Sequence, residues 1–233
     1  MRTLAPSDFT SATPPLELDD DEIHLWIFPL HGSAGGKSGA THCLRETLAA
    51  YLGVDAGALR IGRNAAGKPH LIDAALQFNV SHSGEVLLIG LSRRQALGVD
   101  IESGARARPY LQIAQRYFTA DEAAALARLP AARLADKFIE LWSAKEAVLK
   151  AIGRGIAFGL DRVGFELDVE GATRRLVHLD AQAGTPEQWR LVRLSPHAGI
   201  TGALGWRGPD MRLRAFVATD ADAAATIRVS CTS

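Results

Sequence analysis

The amino-acid order predicts an α+β protein, on three observations. Apolar residues alternate with a period of two in the first part of the chain and again after residue 161, and an alanine-rich stretch with helical spacing separates those two regions. The order is therefore sheet, helices, sheet.

Ordered structure is expected from Ile23, where IHLWIFPL carries aromatic and β-branched residues in strand-like alternation and Pro29 closes the run. The preceding segment, residues 1–22, has Ser, Thr, Pro and an acidic run but no apolar stretch of a secretory signal, so a loose N-terminal arm is expected. HGSAGGKSG reads as a glycine-rich loop, and ATHCLRETLAAYLG as a helix with Leu44, Leu48 and Leu52 on one face and Gly53 as its stop. GRNAAGKP is turn chemistry. LQFNVSH, EVLLIGLSR and LGVDIE then read as a small antiparallel sheet, with Phe78, Val80 and His82 sharing one strand face.

The region from Pro109 to Gly153 is helical. Thr119 to Glu122 forms a capping-box pattern, and a longer helix runs from about Ala132 to Ile152 with Leu134, Phe138, Leu141, Val148 and Ile152 inward. From Asp161, the alternating runs FELDV, RRLVHL, QWRLVRL and LRAFVA describe a second antiparallel sheet.

Composition narrows the function classes. The chain has 233 residues, 47% of them hydrophobic, so a disordered class is excluded. With 26 basic against 26 acidic residues there is no cationic surplus for a general nucleic-acid binder or a polybasic membrane protein. Cys43 and Cys231 form no CxxC pair, which fits a reducing, cytoplasmic setting better than a disulfide framework. The apolar run from Val86 to Leu91 is far short of the roughly 20 residues of a membrane span.

Three constellations carry possible chemistry. In Val99-Asp100-Ile101-Glu102, alternation puts both carboxylates on one strand face about 7 Å apart, either as that strand's wet face or as hard oxygen ligands for Mg²⁺. In WSAKEAVLK, Glu146 and Lys150 stand at i, i+4, either as an ordinary helix ion pair or as a third metal carboxylate beside a phosphate-binding cation. Lys68-Pro69 with Ser81-His82 supplies a loop lysine and a histidine at a strand mouth, which suit phosphates or an adenine base but also an ordinary structural role.

In combination and order, GKP, FNVSHS, GVDIE and WSAKEAVLKAIGRGI closely resemble the signature of the Sfp-type 4′-phosphopantetheinyl transferases, over Gly67 to Ile156. The resemblance implies the 4′-phosphopantetheinyl transferase fold: two pseudo-twofold-related α/β halves, each a helix packed on a small antiparallel sheet. The halves would span residues 23–97 and 98–233, with the seam just before Gly98 and coenzyme A in the cleft between them. It implies attack of a carrier-protein serine on the β-phosphate of coenzyme A, converting an apo acyl or peptidyl carrier to its holo form and releasing 3′,5′-ADP. Asp100, Glu102 and Glu146 match the family's Mg²⁺ ligands, Lys150 the lysine at the same phosphates, and Asp100 and Lys150 also border the donor. Ser81 and His82 match positions at coenzyme A and Lys68 and Pro69 the segment beside the nucleotide, while the serine proton goes either to Glu146, the expected general base, or to a carboxylate-held water. Glu122 matches a further acidic position and equally a capping-box residue.

One interval departs from the pattern. The family's Arg- and Lys-rich helical segment ahead of GKP is reduced here to a short glycine-rich stretch, leaving Lys37 and Arg45 as the cations expected at the 3′-phosphate and Thr41 where an arginine is expected. That departure motivates an alternative, a catalytically weakened protein of the same fold that binds coenzyme A or a carrier protein. Arg106, Arg108 and Arg116 either meet an acidic carrier helix or form a solvated basic face. Two halves in one chain imply a monomer, and fatty-acid, polyketide and nonribosomal peptide carriers remain equally open.

Overall fold

The computed structural model describes residues 1–30, 36–104 and 108–219, and only the backbone of residues 36 and 37. Two sheets form its centre. A five-stranded sheet has the order β2 (Phe9–Ala12), β13 (Arg212–Ala218), β3 (Glu22–Pro29), β7 (Val86–Ser92) and β6 (Gln77–Ser83). A four-stranded sheet has the order β1 (Arg2–Leu4), β11 (Trp189–Leu194), β12 (Ile200–Arg207) and β8 (Leu97–Ser103). Two hairpins, β4 (Ile61–Arg63) with β5 (Pro69–Leu71) and β9 (Val163–Leu167) with β10 (Thr173–Leu179), complete the strands described.

The inner faces of the two sheets share one apolar layer, in which Leu25, Ile27 and Leu88 meet Val99, Ile101 and Leu204. The outer face of the five-stranded sheet is covered by α1 (Gly36–Leu52), whose Leu44 and Leu48 pack with Trp26, Phe78 and Ile89. On the far side lie α2 (Tyr110–Tyr117), α3 (Ala120–Ala127) and α4 (Ala131–Ile152), with Phe138, Leu141 and Val148 in one core with Ala203. Burial on both faces explains why VLLIGLS reads as an unbroken apolar run: every residue of β7 is buried. The α+β class and the main helices match the expectation, including the Thr119–Glu122 capping box and the left-handed Gly153 (φ 78°) that ends α4.

Several expectations are corrected. The first 22 residues are not a loose arm, because β1 runs parallel to β11 and β2 parallel to β13, with Leu4 and Phe9 buried. Strands of three or four residues leave almost no periodic signal, and their partners lie far away in sequence. Part of HGSAGGKSG is helical, since α1 begins at Gly36; residues 31–35 lie outside the described part. β8 does not extend the sheet of β6 and β7 but pairs antiparallel with β12. LRAFVA leaves the second sheet and lies parallel to β3 as β13, making the first sheet mixed rather than antiparallel. The strands on either side of Gly98 are thus exchanged between sheets: β1 completes the sheet of the C-terminal region and β13 that of the N-terminal region.

Candidate active site

The site forms where β6, β8 and α4 meet. β8 uses one edge for backbone pairing with β12, and its other edge faces β6 through side chains: Val99 N donates to Asn79 Oδ1 (2.8 Å), Ile101 N to Ser81 Oγ (3.2 Å) and Ser103 N to Ser83 Oγ (2.9 Å). α4 crosses the same strand at close range. A Cβ on Gly98 would stand 2.1 Å from Ala147 O, so only glycine lets the helix backbone approach β8 at this point. The period of two then carries Asp100 to the strand face beneath α4.

Lys150 reaches from α4 to that face. Its Nζ donates to Asp100 Oδ1 (2.7 Å) and to Ser81 Oγ (3.1 Å). Among the described residues it makes no salt bridge with Glu146, so the i, i+4 ion pair of the plainer reading is not formed. Asp100 and Glu146 are buried, and Asp100 Oδ2 and Glu146 Oε1 have no hydrogen-bond partner. Burial, and then the neighbouring Asp100 charge, push the Glu146 carboxyl up to about 7 against the pull of Lys150. Burial and Asp100 also raise the Glu102 carboxyl, while the Ser83 hydroxyl (3.3 Å) and Arg108 oppose the shift.

Orphaned, mutually repelling carboxylate oxygens are the donor type a hard divalent cation takes, so Asp100, Glu146 and the adjoining Glu102 fit Mg²⁺ in chemistry. Among the described residues, however, no three His, Cys, Asp or Glu side chains gather closely enough to hold a metal ion as they stand.

Beside this centre lies an open cleft of about 370 Å³, lined in part by Lys68, Pro69, His70, Phe78, Ile152 and Gly153. Lys68 Nζ donates to Leu97 O (3.0 Å) and Ala151 O (3.4 Å), and burial depresses its ammonium to about 8. Lys68 therefore ties the GKP turn to the start of β8 and the end of α4.

The remaining candidates are dispersed. Ser81 directs its hydroxyl into the protein, and His82, one residue on, is exposed on the opposite side of β6. Arg45 donates to the carbonyls of Ala56 and Leu59 (3.0 Å for the latter), where it holds the turn after α1. The Lys37 side chain and Arg106 lie outside the described residues. Glu122 is fully buried against Lys145 (2.6 Å), besides accepting from Thr119 N in its capping box. Arg116 stacks over the Tyr117 ring (5.1 Å).

Some contributing residues escape the sequence reading. Tyr110, Phe138 and Trp142 line a small pocket with Glu102 and with Arg108, which the sequence offered only as a cation for an acidic carrier helix or as part of a solvated face. Asn79 and Ser83 lie inside FNVSHS, and their period-two spacing with Ser81 was available as a signal; what they bond to was not.

The family model of the 4′-phosphopantetheinyl transferase superfamily matches residues 96–201, which include β8 and α4. A phosphopantetheinyl transferase of Thraustochytrium sp. is 32% identical over 226 residues, 88% of this chain and 76% of its own length. The chain belongs to the 4′-phosphopantetheinyl transferase superfamily. That membership makes it an enzyme of the transferase kind, on the expected α+β fold. The 4′-phosphopantetheinyl transferase Sfp of Bacillus subtilis is 31% identical over 130 residues, 55% of this chain and 56% of Sfp. A Synechocystis sp. relative is 43% identical over 100 residues, 42% of this chain and 41% of its own. The chain thus spans only about half the length of some superfamily relatives and three quarters of another. Within the superfamily member described here, no helix among the described residues is long and apolar enough to cross a membrane.

Proposed function

We propose that this chain transfers 4′-phosphopantetheine from coenzyme A to a serine of an acyl or peptidyl carrier protein, with Mg²⁺ as cofactor. The observation that carries the reading is the meeting of Asp100, Glu146 and Lys150 at one crossing of strand and helix, with two carboxylate oxygens left unpartnered beside the Lys68 cleft.

In the reaction the serine Oγ bonds to the β-phosphorus of coenzyme A. The bond from that phosphorus to the bridging oxygen breaks, and 3′,5′-ADP leaves with the electron pair. Asp100, Glu102 and Glu146 would hold Mg²⁺, which when bound neutralises charge on the diphosphate. Glu146, whose Oε1 is buried without a hydrogen-bond partner, takes the serine proton as general base. Lys150, already turned toward Asp100, keeps a cation beside the leaving phosphate. Pro69 and Lys68 border the nucleotide in the cleft between the halves 23–97 and 98–233, and His82, exposed on β6, is the residue of the Ser81-His82 pair left for a coenzyme A phosphate.

Lys37 and Arg45 are the cations assigned to the 3′-phosphate, and Arg45 already serves two carbonyls. That engagement supports the second reading, a coenzyme A or carrier-binding protein that has lost turnover. The retained acids and Lys150 favour catalysis. The protein acts as a cytoplasmic monomer in this proposal, with no nucleic-acid or membrane partner.

The test is incubation with coenzyme A, Mg²⁺ and apo carriers of the fatty-acid, polyketide and nonribosomal peptide classes, read by mass spectrometry. One carrier gains the mass of a phosphopantetheine, and Glu146→Gln slows the gain by about 10²–10⁴. Coenzyme A binding that ignores Mg²⁺, with no carrier modified, supports the second reading and overturns the first.

A further inference from the structure

β6 and β8 lie side by side without main-chain pairing, and the space between them is bridged by three β6 side chains spaced by two residues. Each accepts an N–H twenty positions further on: Val99 to Asn79, Ile101 to Ser81 and Ser103 to Ser83. Two of these rungs are hydroxyls, and each also touches the carboxylate that precedes its N–H donor. Ser81 Oγ lies 3.0 Å from Asp100 Oδ1, and Ser83 Oγ lies 3.3 Å from Glu102 Oε2.

The valence of a hydroxyl determines the direction of these bonds. A serine offers one proton and two lone pairs. At Ser81 both lone pairs are taken, by Ile101 N (3.2 Å) and Lys150 Nζ (3.1 Å), so its proton goes to Asp100 Oδ1. That oxygen also accepts from Lys150 (2.7 Å), which leaves it doubly occupied while Oδ2, buried, has no partner. The serine and Lys150 together therefore fix which of the two carboxylate oxygens is presented, and the serine ties that oxygen to the edge of β8. At Ser83 one lone pair takes Ser103 N, the proton goes to Glu102 Oε2 over a longer distance (3.3 Å), and the Ser103 hydroxyl lies 3.1 Å away, a looser form of the same arrangement.

We propose that Ser81 is a positioning residue: its hydroxyl locks the Asp100 carboxylate to the edge of β8 through Oδ1 so that Oδ2 stays free for a divalent cation, and Ser83 repeats the device on Glu102. The proposal rests on the reading of Asp100 as a cation ligand and moves Ser81 from the donor substrate to the support of that ligand. Partners that orient a ligating carboxylate are worth about 10- to 100-fold in metal affinity when removed.

The experiment measures Mn²⁺ affinity of the full chain by the loss of the free-ion paramagnetic resonance signal, without substrate. Ser81→Ala weakens binding about tenfold or more. Asn79→Ala removes a rung of the same ladder that touches no carboxylate, and it leaves affinity within about twofold although it also loosens β8. Ser81→Cys, close in size and a poor donor, replaces the alanine variant should that fail to fold, and it too weakens Mn²⁺. Equal affinities for the Ser81 and Asn79 variants overturn the proposal while Asp100→Asn still abolishes binding. Unchanged binding in Asp100→Asn removes the cation reading itself and the proposal with it.

Discussion

Lys145 Nζ lies 2.6 Å from Glu122 Oε2, and both side chains are fully buried. The ammonium donates further to the carbonyls of Leu160 (2.9 Å) and Val163, and Glu122 accepts from the amides of Thr119 (2.9 Å) and Phe165 (2.8 Å). One pair thus joins α3, α4 and β9. Burial depresses the Lys145 ammonium, and Glu122 counteracts the shift. Removing one member leaves the other charge bare in the core, so Glu122→Gln costs about 3–5 kcal/mol in urea unfolding. A variant of wild-type stability that has lost only transfer activity would assign Glu122 to the chemistry instead.

Gly98 carries the contact between β8 and α4. An alanine Cβ would stand 2.1 Å from Ala147 O and 2.3 Å from Ala151 N, and backbone atoms cannot swing aside as a flexible side chain does. Gly98→Ala therefore destabilises by about 1–3 kcal/mol and moves the helix that holds Glu146 and Lys150 away from Asp100. Phosphopantetheine transfer falls further than stability alone accounts for. Transfer that tracks the folded fraction would show that the helix position is not critical.

β1 makes the amino terminus part of the core. Leu4 is buried and pairs with Leu194. Leu4→Ala is expected to cost about 2–5 kcal/mol. A shift in the unfolding midpoint too small to resolve would return this segment to the status of a loose arm.

Lys68 imposes a pH dependence with a defined sign. Its ammonium titrates at about 8 in the fold against 10.5 ordinarily, so between these values the unfolded chain binds the extra proton. Stability relative to Lys68→Met therefore rises as pH climbs from about 8 to about 10.5, and the full penalty of the buried charge is present below that window. Coenzyme A, as a polyanion, should bind more weakly above about pH 8 for the same reason. Urea midpoints of both proteins across this range check the first statement, and a constant difference between them contradicts it.

Much of the local structure was legible because burial of one face leaves a period. Strand β3, the body of α1, β6, β7 and the long α4 all announce themselves this way, and the Thr119 cap and the Gly153 stop are local in sequence. The carboxylates of GVDIE and the acid and lysine of WSAKEAVLK were legible as candidates for the same reason. β12 was not, since ITGALGWR contains small residues where Gly202 and Gly205 admit close neighbours rather than a regular apolar stripe.

By itself, the order of residues determined the α+β class, the elements with a strong period and the ordered motifs that resemble one enzyme family. Only the tertiary structure decided which strand edges meet: β8 beside β12, β13 between β2 and β3, and β1 against β11. It also decided that Lys150 bonds Asp100 rather than its helix neighbour Glu146, and that the Ser81 hydroxyl turns inward. The physical reason is that periodicity records which face of an element is buried. The choice of a hydrogen-bonding partner instead depends on groups brought together from distant parts of the chain, and it leaves no local trace.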